Sequence, residues 1–93
     1  MTLTSKKPDS SMLLRAMMRQ MRLKAKLRQV QLAQKLDKPQ SYVSKIENGS
    51  RGISIVELGE LCTACGVEIT SFIRKWQKGL DDPDAWTMVR QKA

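Results

Sequence analysis

Apolar residues along this chain recur every three or four positions in separate stretches, and no stretch alternates as a strand would. In the first stretch Leu14, Met17, Met18, Met21 and Ala25 recur at helical spacing, with Arg15, Arg19 and Arg22 in between. The spacing predicts a helix over Ser11–Ala25, with Asp9, Ser10 and Ser11 as available caps. A second helix, Gln29–Leu36, carries Val30, Leu32, Ala33 and Leu36 on its apolar side, and the small Ala33 lets another helix cross closely. Asp37-Lys38-Pro39 then interrupts, because proline disfavours helical geometry in the residue before it. Proline is tolerated in the first turn of a new helix. A third helix therefore runs from Pro39 or Gln40 to Asn48, with Gly49 as its left-handed terminator.

Ser50-Arg51-Gly52-Ile53 reads as a loop, and Ser54-Ile55-Val56-Glu57 as a capping box. The fourth helix, Ile55–Cys65, turns Ile55, Leu58, Leu61, Cys62 and Cys65 inward and ends at Gly66. The fifth, Ile69–Lys78, has Ile69, Phe72, Ile73 and Trp76 on one side, before Gly79, Asp81, Asp82 and Pro83 break the pattern. Asp84–Ala93 has room for one more short helix, with Trp86 and Val89. The reading is all-α: a loose arm over residues 1–10, a five-helix domain over 11–79 and a tail over 80–93.

Ninety-three residues, 41% of them hydrophobic, fill one small domain. No apolar run approaches the ~20 residues that span a bilayer, and MTLTSKKPDSS lacks an apolar signal core. Cys62 and Cys65 do not make a disulfide framework, so a reducing, cytoplasmic setting is expected. The net charge of +8 is placed unevenly: residues 1–53 hold twelve Lys or Arg against three acids, and residues 54–93 hold five against six. The basic half contains the second and third helices. A polyanion is the natural partner; a basic surface kept for solubility is the plainer alternative.

Two short helices around a three-residue break, over residues 29–48, are the layout of a helix-turn-helix, in which one helix braces the other in a DNA groove. Stepping ~100° per residue from Gln40 turns Val43, Ile46 and Glu47 toward the body. Gln40, Ser41, Ser44, Lys45 and Asn48 face outward. Gln pairs with adenine N6 and N7, and Lys donates to guanine O6 or N7. Gln40 is the best candidate reader, since the N-terminal residues of a recognition helix contact base edges. Gln29 starts the second helix, where free N–H groups and the dipole favour a phosphate. Asn48, Ser50 and Arg51 lie beyond the third helix, placed to hold the opposite backbone without specifying sequence. Tyr42 either touches that backbone or covers the edge of the second helix.

The register from 14 to 76 resembles the Cro and phage-repressor type, Xre-like, helix-turn-helix family. The matching residues are Met18-Arg19 and Met21-Arg22, then Leu27-x-Gln29-x-x-Leu32-Ala33. They continue with Ser41-Tyr42-Val43-Ser44-Lys45-Ile46-Glu47-Asn48-Gly49, then Ser54-x-x-x-Leu58-x-x-Leu61-Cys62 and Gly66-Val67. The resemblance implies a lambda-repressor-like domain with base contacts from Gln40, Ser41, Ser44 and Lys45, and a phosphate contact from Gln29. It also implies an Arg22–Glu47 ion pair, and dimerisation through the fifth helix. The family often has Gly-Leu-Ser where this chain has Lys26, Leu27 and Arg28. A left-handed Lys26 in place of that glycine costs about 1 kcal/mol, and Arg28 is a poor cap.

Cys62-x-x-Cys65 invites a zinc or redox reading, but the chain has no His and no further Cys, and both thiols fall on an inward stripe. Metal and cofactor are therefore not expected. Met12, Met17, Met18 and Met21 read as core filler. Trp76 and Trp86, with Phe72, are candidates for a homodimer interface, the alternative being a tail packed on its own domain. With no His and no nucleophile beside a base, an enzyme is not expected. Few aromatics argue against RNA. Two functions remain: a sequence-specific, double-stranded DNA-binding transcriptional regulator without a ligand domain, or an antitoxin-like module that holds a toxin or other protein partner.

Overall fold

The computed structural model describes residues 10–81. The expectations placed on the arm over 1–9, on residues 82–93 of the tail and on Trp86 lie outside the described residues. The elements are α1 (Ser10–Lys24), α2 (Gln29–Lys35), α3 (Gln40–Asn48), α4 (Ile55–Ala64) and α5 (Ile69–Gly79), with no strand among the described residues. Each boundary lies within a residue or so of the periodicity, as expected for frayed ends.

Chain reversals explain why the helices are short. Lys26, Asp37 and Gly66 adopt positive φ (62°, 58° and 75°) just past α1, α2 and α4. At each, the following N–H reaches back into the helix: Leu27 N to Arg22 O, Lys38 N to Ala33 O, and Val67 N to Cys62 O. The 5→2 bonds are also made, from Lys26 N to Leu23 O, Asp37 N to Gln34 O and Gly66 N to Thr63 O. All three are Schellman ends, yet only one uses glycine. Gly49, at φ 85°, closes α3.

Helix starts differ in quality. Ser54 Oγ accepts from Glu57 N at 3.1 Å, and Glu57 Oε1 accepts from Ser54 N at 2.9 Å, a complete capping box. At α2 the guanidinium of Arg28 can accept nothing, and only the return bond forms, from Arg28 N to Gln31 Oε1 at 2.8 Å.

α2 and α3 pack on each other, α1 braces α3, and α4 with α5 closes the domain. Leu13, Met18, Met21, Leu32, Ala33, Tyr42, Val43, Ile46, Leu58, Leu61, Cys62 and Phe72 are buried. Several faces differ from the periodicity. Leu13 is buried and Met12 exposed, so Met12 is not core filler. Val30, Ile55 and Val56 are exposed as well. Ile55 opens α4 in its first turn, and it is Ile53, one step before the cap, that packs on the core. Helix period tells which residues share a face, not whether a neighbour reaches that far along it. Gly79 does not break α5: it is the buried last residue of the helix.

Candidate nucleic-acid interface

α3 presents Gln40, Ser41, Lys45 and Asn48 to solvent, with Ser44 half-buried. Val43 and Ile46 anchor the opposite face in the core. The helix is held from behind by ions. Arg22, buried in α1, sets Nε 2.7 Å from Glu47 Oε2 and Nη2 3.0 Å from Glu47 Oε1, with both side chains 7% exposed. Its Nη1 donates to Leu27 O at 2.9 Å, which ties the α1–α2 turn to the same centre. A bidentate Arg–carboxylate pair fixes both position and orientation.

From Glu47 a hydrogen-bonded line runs out to the surface. Glu47 Oε1 also accepts from Gln29 Nε2 at 3.0 Å, and Gln29 Oε1 accepts from Gln40 Nε2 at 3.0 Å. An ionised carboxylate only accepts, so Gln29 must turn its NH2 group to Glu47 and its carbonyl to Gln40. Gln40 must then spend one amide N–H on Gln29. Its remaining N–H and its carbonyl stay free at the start of the exposed helix, and these are the donor and acceptor that adenine N7 and N6 require.

Beyond α3, Asn48 Oδ1 accepts from Ser50 N at 2.9 Å and from Ser50 Oγ at 2.6 Å. Ser50 therefore has no O–H left to donate to a phosphate, while the NH2 of Asn48 remains. Arg15 of α1 crosses this turn: a Cβ placed on Gly49 would meet its Cζ at 2.8 Å. That brings a further cation to the end of α3, one that helical spacing alone placed merely between apolar positions.

Tyr42 is buried, and its ring carries Lys38 Nζ at 5.3 Å and Arg51 Cζ at 4.8 Å from its centroid. Burial, with the Glu57 charge second, pushes its hydroxyl pKa up. The ring thus serves as a platform joining the α2–α3 turn to the loop after α3. Arg51 Nη1 and Nη2 fork onto Glu57 Oε1 and Oε2 at 3.1 and 2.8 Å, and Nη1 also donates to Gly52 O at 2.9 Å. The Arg51 fork, and after it the Ser54 N–H, hold the Glu57 carboxyl down to about 2. Neither Lys38 nor Glu57 stands out by spacing: Lys38 reads as part of the break, Glu57 as half of a cap.

The apolar candidates divide. Phe72 is 4% exposed inside the core, so it has no surface to offer a second subunit, and its place in the dimer interface is corrected. Trp76 is half-buried and donates Nε1–H to Ser10 O at 3.0 Å, packing α5 on the start of its own α1. Cys62 is buried and Cys65 half-buried, both as free thiols with pKa values raised by burial. No group of three or more His, Cys, Asp or Glu could hold a metal ion among the described residues. No helix among them is long and apolar enough to cross a membrane.

A helix-turn-helix family profile matches residues 18–72, which is more than half of the chain. No curated protein matches with significance. Among solved structures the fold is similar to an XRE-family like protein from Pseudomonas syringae pv. tomato, at 29% identity and a TM-score of 0.72. That match covers 74% of this chain and 84% of the other. The clp gene regulator ClgR from C. glutamicum superimposes with a TM-score of 0.69 over 82% of this chain and 97% of its own, at 21% identity. The five-helix order, the exposed α3 and the matched residues agree: the chain belongs to the Xre-like, Cro/C1-type helix-turn-helix family of DNA-binding transcriptional regulators.

Proposed function

We propose that the chain binds a specific double-stranded DNA sequence as a homodimer, each copy laying α3 in the major groove. The observation that carries this reading is the Gln40 amide, turned outward by a line of fixed polarity that starts at the Arg22–Glu47 pair. Gln40 reads a base, with Ser41, Ser44 and Lys45 beside it on the exposed side of the helix. The backbone N–H of Gln29 opens α2 toward a phosphate. Asn48 and Arg51 hold the backbone on the far side, and Tyr42 supports Arg51 from below. Two copies related by a dyad would set two α3 helices about one DNA turn apart.

The test is a binding titration on the DNA upstream of the chain's own gene, at several salt concentrations. A specific complex should weaken as salt rises, through release of counterions from phosphate contacts. Gln40→Ala should flatten base preference at one position per half-site. Equal affinity for every duplex in wild-type protein would refute the specific reading.

A further inference from the structure

We propose that Glu57 is a positioning residue for DNA-backbone binding: it locks the Arg51 guanidinium over the Tyr42 ring so that one complete edge of it faces a phosphate. The inference rests on the DNA-binding reading above and adds to it a residue outside the helix-turn-helix. A guanidinium has five N–H bonds in a fixed plane. Both Nη1 hydrogens are taken, one by Glu57 Oε1 at 3.1 Å and one by Gly52 O at 2.9 Å. One Nη2 hydrogen goes to Glu57 Oε2 at 2.8 Å. The Nε–H and the outer Nη2–H remain, parallel and on the same edge, and no protein group among the described residues takes them. This pair matches two oxygens of one phosphate.

Three constraints hold the plane. The Tyr42 ring lies 4.8 Å from Arg51 Cζ on one face. Glu57 grips the second edge, and it is itself fixed because Oε1 also accepts the Ser54 N–H at the start of α4. Gly52 O closes the third side. The side chain is still 39% exposed, so the free edge reaches solvent. A long arginine ordered before binding spares the cost of immobilising it in the complex.

Simple charge arithmetic makes the opposite claim. A carboxylate beside a phosphate clamp lowers the local positive field, so its removal should tighten DNA binding. The sign of the effect of Glu57→Gln therefore separates the two. Glutamine keeps an acceptor for Ser54 N–H and cannot hold the ionic fork.

Affinity for a fluorescent duplex of the upstream DNA is measured for wild type, Glu57→Gln, Arg51→Ala, the double variant and Arg51→Lys, with thermal melts of each. Glu57→Gln should weaken binding about two- to tenfold without changing base preference, and should do nothing in the Arg51→Ala background. Arg51→Lys, which keeps the charge and loses the fork, should weaken binding to a similar degree. Unchanged or tighter binding by Glu57→Gln overturns the proposal, as does equal weakening in both backgrounds, which would trace the effect to the α4 cap. Wild-type behaviour of Arg51→Lys overturns it as well. Failure of the wild-type protein to bind any duplex would instead refute the DNA reading from which the proposal starts.

Discussion

Gln40 Nε2 donates to Gln29 Oε1 at 3.0 Å, so the first residue of α3 is tied to the first residue of α2. The tie has a direction, imposed by the Glu47 carboxylate on the far side of Gln29. A side chain that would otherwise sample many rotamers at an exposed helix start is held in one orientation.

Gln29→Ala removes the acceptor and leaves Gln40 untethered. On the proposed reading, discrimination at the base assigned to Gln40 should fall, while discrimination at other positions is kept. Competition among duplexes with single base-pair changes measures this, and an unaltered preference profile would show the tie to be dispensable.

Arg22→Met leaves Glu47 buried with only Gln29 beside it. Breaking a buried pair costs about 3–5 kcal/mol at full burial, so the melting temperature should drop sharply. Arg19→Met, at a half-buried position with no ion pair among the described residues, should change it little. Equal shifts for the two variants would show that the pair contributes nothing to stability.

Lys26 and Asp37 hold left-handed backbone at Schellman ends, where Gly66 does the same work without a side chain. L-residues pay about 1–2 kcal/mol there, and glycine gives back part of that as chain entropy. Lys26→Gly should therefore gain about 0.5–1 kcal/mol in denaturant unfolding. Asp37→Gly should gain less, because Asp tolerates this conformation. Gln34→Gly, at an exposed position inside α2, should lose about 1 kcal/mol.

The Glu57 carboxyl lies at about 2 against an ordinary 4.5, lowered first by Arg51. A folded-state value below the unfolded one means stability that is present above about 4.5 and lost as pH falls through about 2. Melts of wild type and Glu57→Gln should therefore converge across this window. A gap that stays constant down to pH 2 would mean the carboxylate is not paired in solution.

Much of the fold was legible because its causes are local. The apolar periodicity of α1 and α3, the break before Pro39, the Ser54–Glu57 box and the glycines at 49 and 66 act within one or two turns, and all five helices fall where those signals put them. The left-handed cost at Lys26 was legible too, through the glycine missing there. The likeness of residues 14–76 to a known family supplied what spacing does not carry, the pairing of Arg22 with Glu47 across 25 positions.

The sequence by itself determined where the helices begin and end, which helix is polar on its outer face, and that positive charge gathers around it. Tertiary structure alone decided which apolar residues found a neighbour. It buried Leu13 and Phe72, left Met12 and Ile55 outside, and packed Ile53 on the core. It alone brought Glu57, Arg51, Tyr42 and Lys38 together from two helices and the loops on either side of α3. Period along a helix fixes direction, whereas burial and charge pairing depend on what arrives from elsewhere in the chain.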